Sequence, residues 1–78
     1  MLIASWNVNS IRARAEHVKR WLQRTSVDVL LLQELKGSEF PSAFFEDLGY
    51  QSVAVTQKMY NGVAILSRTP IKVVSRTL

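Results

Sequence analysis

Glu34 is the residue whose type and position most clearly suggest chemistry. It comes directly after Val29–Gln33, which is predicted to be a strand with apolar side chains on both faces, and Lys36 follows two residues later. An unpaired carboxylate is very costly inside such a strand. At the carboxyl end it is tolerated, and this is where ligands bind in layered α/β folds. We therefore expect Glu34 to face a cation or a phosphate.

Two asparagines are expected to lie beside this carboxylate. Asn7 and Asn9 follow a first predicted strand, Leu2–Trp6, and the next segment has helical spacing from Ile11 to Leu22. In a strand–helix–strand unit the two strands pair in parallel, and the crossover that connects them is right-handed. The carboxyl ends of both strands then share one edge of the sheet, which brings the asparagines towards Glu34.

The chemistry that these groups suggest is that of a divalent cation. Glu34 is a hard oxygen ligand suited to Mg²⁺ or Mn²⁺. Asn7 can offer its amide oxygen directly or hold a metal-bound water. Mg²⁺ often accepts so few protein ligands, because it keeps waters and takes other oxygens from substrate phosphates. Such an ion stabilises developing charge during phosphodiester cleavage. Side chains suited to contacting backbone phosphates are Arg12, Lys36, Lys58 and Tyr60.

The remaining segments complete a small α/β arrangement. Further elements are predicted as a helix over Phe40–Leu48, strands over Tyr50–Thr56 and Gly62–Ser67, and a last strand starting at Ile71. Because the confident strands are apolar on both faces, both faces of the sheet need cover. Two short helices cover only one face. We infer that the remainder of a larger protein packs on the other.

Local signals place the ends of the helices. Ser10 is the predicted N-cap of the first helix, which is expected to close near Thr25. Pro41 is expected near the first turn of the second helix, and Gly49 as its C-cap.

Several other side chains are predicted to have structural rather than chemical roles. His17 is predicted to be an exposed helix residue without chemistry. The large aromatic side chains are predicted to be core: Trp6, Trp21, Phe44 and Phe45. The basic face of the first helix is predicted to be merely solvated: Arg14, Lys19, Arg20 and Arg24.

Bulk properties set the class of protein. The chain has 78 residues, enough for at most one small domain, and its net charge of +4 weakly favours an acidic partner. The absence of cysteine excludes disulfides and thiolate metal sites. The aliphatic runs are too short to span a bilayer and no signal peptide is visible, so a cytoplasmic location without membrane association is expected.

Three motifs in order give the chain a family resemblance. They are Ser5–Ala13, Val29–Lys36 and Tyr60–Arg68. Together they resemble the exodeoxyribonuclease III / AP endonuclease family, within the endonuclease/exonuclease/phosphatase superfamily. The resemblance implies the N-terminal part of a four-layered, DNase I-like α/β sandwich. Residues 1–78 would form a partial domain, truncated at its C-terminus, with one mixed sheet and two helices on one face.

The resemblance also implies roles for individual residues. Glu34 and Asn7 would be catalytic and would hold Mg²⁺ (or Mn²⁺), while Asn9 would lie near the metal water. Two positions depart from the family pattern, since Leu35 stands where Thr is usual and Ser10 where Gly is common. The residues expected on the DNA-binding edge are Asn9, Arg12, Lys36, Tyr60 and Asn61.

The implied activity is hydrolysis of DNA phosphodiesters by an AP endonuclease and 3′–5′ exonuclease. Its substrate would be double-stranded DNA with an abasic site or a 3′ end, and the full-length enzyme would be a monomer. The family's later Tyr, Asp–Asn pair and Asp–His pair have no counterpart in this sequence. We therefore expect the 78 residues to be inactive alone and to need the C-terminal half of the same domain. The alternatives are a superfamily phosphoesterase acting on a small molecule or lipid headgroup, and a non-catalytic remnant or binding module.

Overall fold

The computed structural model describes residues 1–36, 39–56 and 62–72. Within these ranges no helix is long and apolar enough to cross a membrane. The elements, in chain order, are β1 (Ile3–Asn7), α1 (Ile11–Arg24), β2 (Val29–Gln33), α2 (Ser42–Glu46), β3 (Gln51–Thr56) and β4 (Gly62–Ser67).

The strands form one mixed sheet in the order β1-β2-β4-β3. β1 and β2 are parallel, with Asn7 opposite Gln33 at their carboxyl ends. β4 runs antiparallel to both β2 and β3. The predicted crossover through α1 is therefore confirmed, and it aligns the polar ends of β1 and β2 at one edge.

α1 follows its predicted limits, but it begins by a different means. Ile11, Val18 and Leu22 are buried, as their spacing predicts. Ser10 occupies the N-cap position, as predicted, but its side chain makes no capping hydrogen bond. Instead, the Ile11 N–H donates to the Leu35 carbonyl oxygen at 3.0 Å. The loop after β2 thus accepts a hydrogen bond from a backbone N–H that has no partner within the first turn of the helix.

α2 is shorter than predicted, because it spans only Ser42–Glu46. Pro41 lies just before the helix with ψ of 68°, outside the helical region, so the helix starts after it. Asp47 is the C-cap, in place of the predicted Gly49. Gly49 follows with φ of 88°, a left-handed conformation that turns the chain into β3.

The sheet is covered on one face. Leu30, Leu32 and Leu66 are buried there in one cluster with residues of α1 and with Phe45 of α2. On the other face Ile3 is 58% exposed and Ile65 is 38% exposed. The predicted arrangement of two helices on one face is therefore confirmed.

The remaining structural predictions have mixed outcomes. Phe45 is fully buried, and the other three predicted core aromatics are partly buried against the same cluster. His17 is exposed, as predicted. Ile71 and Lys72 do not form a strand, and the rest of that predicted strand lies outside the described residues.

Candidate active site

The loop that follows β1 and the loop that follows β2 meet at the carboxyl edge of this parallel pair of strands. The Val8 N–H donates to the Gln33 carbonyl oxygen at 3.0 Å, and the Ser10 N–H donates to that of Glu34 at 2.8 Å. These bonds extend the parallel pairing beyond the last strand residues. The two loops are thereby held in register, and the predicted proximity of Asn7 and Glu34 follows from it.

Both loops turn through left-handed backbone conformations. Among the described residues, every non-glycine residue with positive φ lies here: Asn9 at 48°, Ser10 at 93°, Glu34 at 56° and Lys36 at 52°. Such conformations cost about 1–3 kcal/mol each and cluster at functional sites, where the surroundings enforce them. The Asn residue is the least penalised of these, because its side chain tolerates this region.

Leu35 anchors the loop that follows β2, residues 34–36, which we call the site loop. Its side chain is fully buried, and its N–H donates to the Gly62 carbonyl oxygen at 3.2 Å. A Cβ atom at Gly62 would lie 3.1 Å from the Leu35 Cβ, so the loop packs directly on the β4 backbone. With Leu35 turned inward, Glu34 and Lys36 reach the surface on either side of it.

Glu34 and Asn7 form the centre of the site. The Asn7 Nδ2 donates a hydrogen bond to Glu34 Oε2. The Asn9 N–H donates to Asn7 Oδ1 at 3.2 Å, which turns the amide nitrogen towards the carboxylate. The Glu34 side chain is still 42% exposed, so its carboxylate is accessible from solvent.

Lys36 joins the same group of side chains. Its Nζ donates to Asn9 Oδ1 and lies 4.0 Å from Glu34 Oε1. Because both side chains are more than a third exposed, this ion pair contributes under about 1 kcal/mol to stability. The pair places a positive charge beside the carboxylate. We call Asn7, Asn9, Glu34 and Lys36 the Glu34 cluster.

The other predicted site residues are partly placed. Arg12 is exposed on the first turn of α1, next to the cluster in sequence. Lys58, Tyr60 and Asn61 lie outside the described residues, so their predicted roles stay predictions.

Gln33 was not singled out from sequence. Its Nε2 donates to Ser5 Oγ at 2.9 Å on the exposed face of the sheet, next to the pair of Asn7 and Glu34. The signal for it was available, because it is the one polar side chain in β2.

The donor set fits a hard cation that keeps most of its water. Among the described residues there is no group of three or more His, Cys, Asp and Glu side chains able to enclose a metal. Glu34 offers one accessible carboxylate, and Mg²⁺ commonly binds one or two carboxylates plus substrate phosphates. In this conformation the Asn7 amide nitrogen orients the carboxylate, while its oxygen, which accepts the Asn9 N–H, keeps a second lone pair that could face a cation.

Comparison with known proteins supports a nuclease relationship. Residues 4–77 match the Endonuclease/Exonuclease/phosphatase family. Exodeoxyribonuclease III of Haemophilus influenzae is 36% identical over 78 residues, which cover 97% of this chain and 29% of that protein. DNA-(apurinic or apyrimidinic site) endonuclease 2 of Xenopus laevis is 35% identical over 74 residues, covering 88% of this chain and 14% of that protein.

Solved structures agree with the sequence relatives. An AP endonuclease from Archaeoglobus fulgidus superposes with a TM-score of 0.83 and 46% identity, covering 87% of this chain and 28% of that one. A 3′ phosphatase from Neisseria, bound to product DNA hairpin, gives a TM-score of 0.82 and 43% identity, covering 87% and 27%. The four-stranded sheet and its helices therefore have the DNase I-like fold of AP endonucleases and exonucleases. The chain spans less than a third of each of these relatives, and the family match covers nearly all of it. The chain belongs to the endonuclease/exonuclease/phosphatase family.

Proposed function

We propose that this chain forms the metal-holding part of an exodeoxyribonuclease III-like nuclease that hydrolyses DNA phosphodiesters with Mg²⁺ or Mn²⁺. The observation that carries the proposal is the hydrogen bond from Asn7 to Glu34, which fixes an exposed carboxylate at the carboxyl edge of the sheet. The nuclease names of the relatives support the same reaction class. Residues 1–78 would be the N-terminal part of the domain in which this reaction takes place.

In this proposal, the residues of the chain divide the work of holding the ion and the phosphate. Glu34 supplies the protein oxygen through its carboxylate, while Asn7 fixes the orientation of that carboxylate. Lys36 lies 4.0 Å from Glu34 Oε1 and supplies a positive charge for a phosphate oxygen. The bound cation would polarise the scissile phosphoryl group and stabilise its developing charge.

The proposed substrate is double-stranded DNA with an abasic site or a 3′ end. The names of the Haemophilus and Xenopus relatives support this choice, as does the product DNA hairpin bound to the Neisseria protein. Arg12 and Lys36 would contact phosphates beside the scissile bond, with Tyr60 and Asn61 as further proposed contacts. The groups that activate the attacking water would come from outside these 78 residues, so turnover by the chain alone is not expected.

A chimera tests the proposed reaction. Residues 1–78 would replace the matching segment of the Haemophilus exodeoxyribonuclease III, with which they share 36% identity. We expect the chimera to cleave a duplex with one abasic site when Mg²⁺ is added. Glu34→Gln should lower kcat by at least about a hundredfold, because the ligand charge is lost. The matched control is Glu39→Gln, which removes an exposed carboxylate outside the Glu34 cluster.

The outcomes separate the alternatives. A folded chimera that does not cleave DNA, or an equal loss in both variants, would contradict the nuclease assignment. Mn²⁺ added to the 78-residue chain gives an independent test by paramagnetic broadening of amide resonances. We expect broadening at Asn7, Asn9 and Glu34 that Glu34→Gln removes. Such broadening in a chain whose chimera remained inactive would favour the binding-module alternative.

A further inference from the structure

The net charge of the chain is concentrated on one helix. The sequence has ten Lys and Arg residues against six Asp and Glu residues. α1 holds five of those cations and only one carboxylate, Glu16, leaving five of each sign in the rest of the chain. The formal charge of +4 therefore resides entirely in α1. A solvated helix face needs no such segregation of charge.

Several of these cations line a shallow groove on the outer side of α1. The groove has a volume of about 680 Å³, and its lining includes Arg14, Arg20 and Arg24, with His17 and Glu16. Among the described residues, no carboxylate lies within 4.0 Å of the three arginines. Lys19, in contrast, points to α2, with its Nζ 5.6 Å from the centre of the Phe44 ring. We call Arg14, Arg20 and Arg24 the basic groove.

The basic groove leads away from the Glu34 cluster. α1 begins at Ile11, whose N–H donates to the Leu35 carbonyl oxygen inside the site loop. At 1.5 Å per residue, Arg14 lies roughly 5 Å and Arg24 roughly 20 Å along the axis from that point. The groove therefore extends over roughly 15 Å, and a DNA duplex, with one negative charge per 1.7 Å of its axis, presents about nine charges over that length. The groove therefore matches a phosphate backbone in both sign and extent.

We propose that the basic groove binds the phosphate backbone of duplex DNA several nucleotides away from the bond at Glu34. This inference rests on the proposed function for its choice of DNA as the polyanion. The contacts are with phosphates alone, so the groove binds without regard to base sequence. Binding at the basic groove lengthens the segment of duplex that the protein contacts and orients that duplex over the Glu34 cluster. The basic face of α1, predicted from sequence to be merely solvated, thereby gains a binding role.

Salt-dependent binding tests this proposal without requiring catalysis. The 78-residue chain is titrated with a fluorescein-labelled duplex of 20 base pairs in EDTA, and anisotropy is read at several NaCl concentrations. The test variant is Arg20→Gln with Arg24→Gln. The control is Lys19→Gln with Lys72→Gln, which removes the same charge outside the groove. Each lost phosphate contact reduces the slope of log K against log salt by about 0.9, so the groove variant should lose about 1.8.

The expected pattern is a reduced slope in the groove variant and a slope within about 0.5 of the starting chain in the control. Equal changes in the two variants would show a general charge effect and overturn the proposal. Absence of duplex binding by the unchanged chain would do the same, as would tighter binding of polyglutamate to the chain than of DNA. Arg20→Lys with Arg24→Lys keeps the charges and should restore the slope, while far-UV circular dichroism checks that α1 is intact. Because EDTA removes metal, failure here leaves the Glu34 cleavage test unaffected.

Discussion

The packing of Leu35 on Gly62 gives the most quantitative prediction. Gly62→Ala adds one methyl group at a backbone φ of 126°, which L-residues rarely adopt. The new Cβ would lie 3.1 Å from the Leu35 Cβ, and Leu35 is fully buried. We expect two separate costs: backbone strain of about 1–3 kcal/mol and overpacking of about 1–3 kcal/mol. The free energy of unfolding should therefore fall by about 2–6 kcal/mol.

Gly49→Ala is the matched control, because it isolates the backbone cost. Gly49 also has a positive φ, of 88°, but a Cβ there meets nothing within 4 Å. We expect this variant to lose only the strain of about 1–2 kcal/mol. The difference between the two glycine variants then measures the contact with Leu35.

Urea unfolding, monitored by tryptophan fluorescence, measures the free energy of unfolding of both glycine variants. Adding Leu35→Gly to Gly62→Ala removes the Leu35 Cβ and so makes room for the new methyl group. The double variant should therefore be more stable than the sum of the single changes predicts. A coupling of at least about 1 kcal/mol is expected for two side chains in contact. If Gly62→Ala cost no more than Gly49→Ala, the close packing of the site loop on β4 would be refuted.

Three further predictions concern the site and the faces of the sheet. Ser10→Gly should raise the melting temperature by several degrees in a calorimetric scan, because relief of a φ of 93° stabilises by about 1 kcal/mol; an unchanged or lower value would refute the strain. Asn7→Ala should weaken Mn²⁺ binding about 10-fold in a calorimetric titration, because it removes the hydrogen bond that orients Glu34, and unchanged affinity would exclude that role. Leu66→Ala should cost about 2–5 kcal/mol in urea unfolding and Ile65→Ala only about 1 kcal/mol, because these neighbours lie on the covered and exposed faces; equal losses would contradict the one-sided cover.

The position of the site followed from topology. A strand–helix–strand crossover is parallel, so the polar residues that end β1 and β2 share one edge. Asn7 could thus be placed beside Glu34 from the order of elements alone. The contact of Lys36 with Asn9 could not be placed in this way, because the direction of both side chains depends on left-handed turns at non-glycine residues.

Predictions from local sequence were incomplete where contacts with a distant segment of the chain determine the structure. Ser10 occupies the N-cap position, as its type predicts, yet with a φ of 93° its side chain makes no capping hydrogen bond, and the Leu35 carbonyl oxygen pairs with the helix start instead. Leu35 looked like a departure from the family pattern and proved to be the buried anchor of the site loop. Both features arise from contacts distant in sequence, which local propensity does not describe.

The order of folding is constrained by the spacing of these contacts. The hydrogen bonds from Asn7 to Glu34 and from Lys36 to Asn9 each join residues 27 positions apart. Closing a loop of that length costs about 3 kcal/mol in chain entropy, so such contacts form late. The Glu34 cluster therefore exists only after β1, α1 and β2 have docked. Any ligand that binds the cluster stabilises that docked state by mass action, so ligand binding and completion of the sheet are thermodynamically linked.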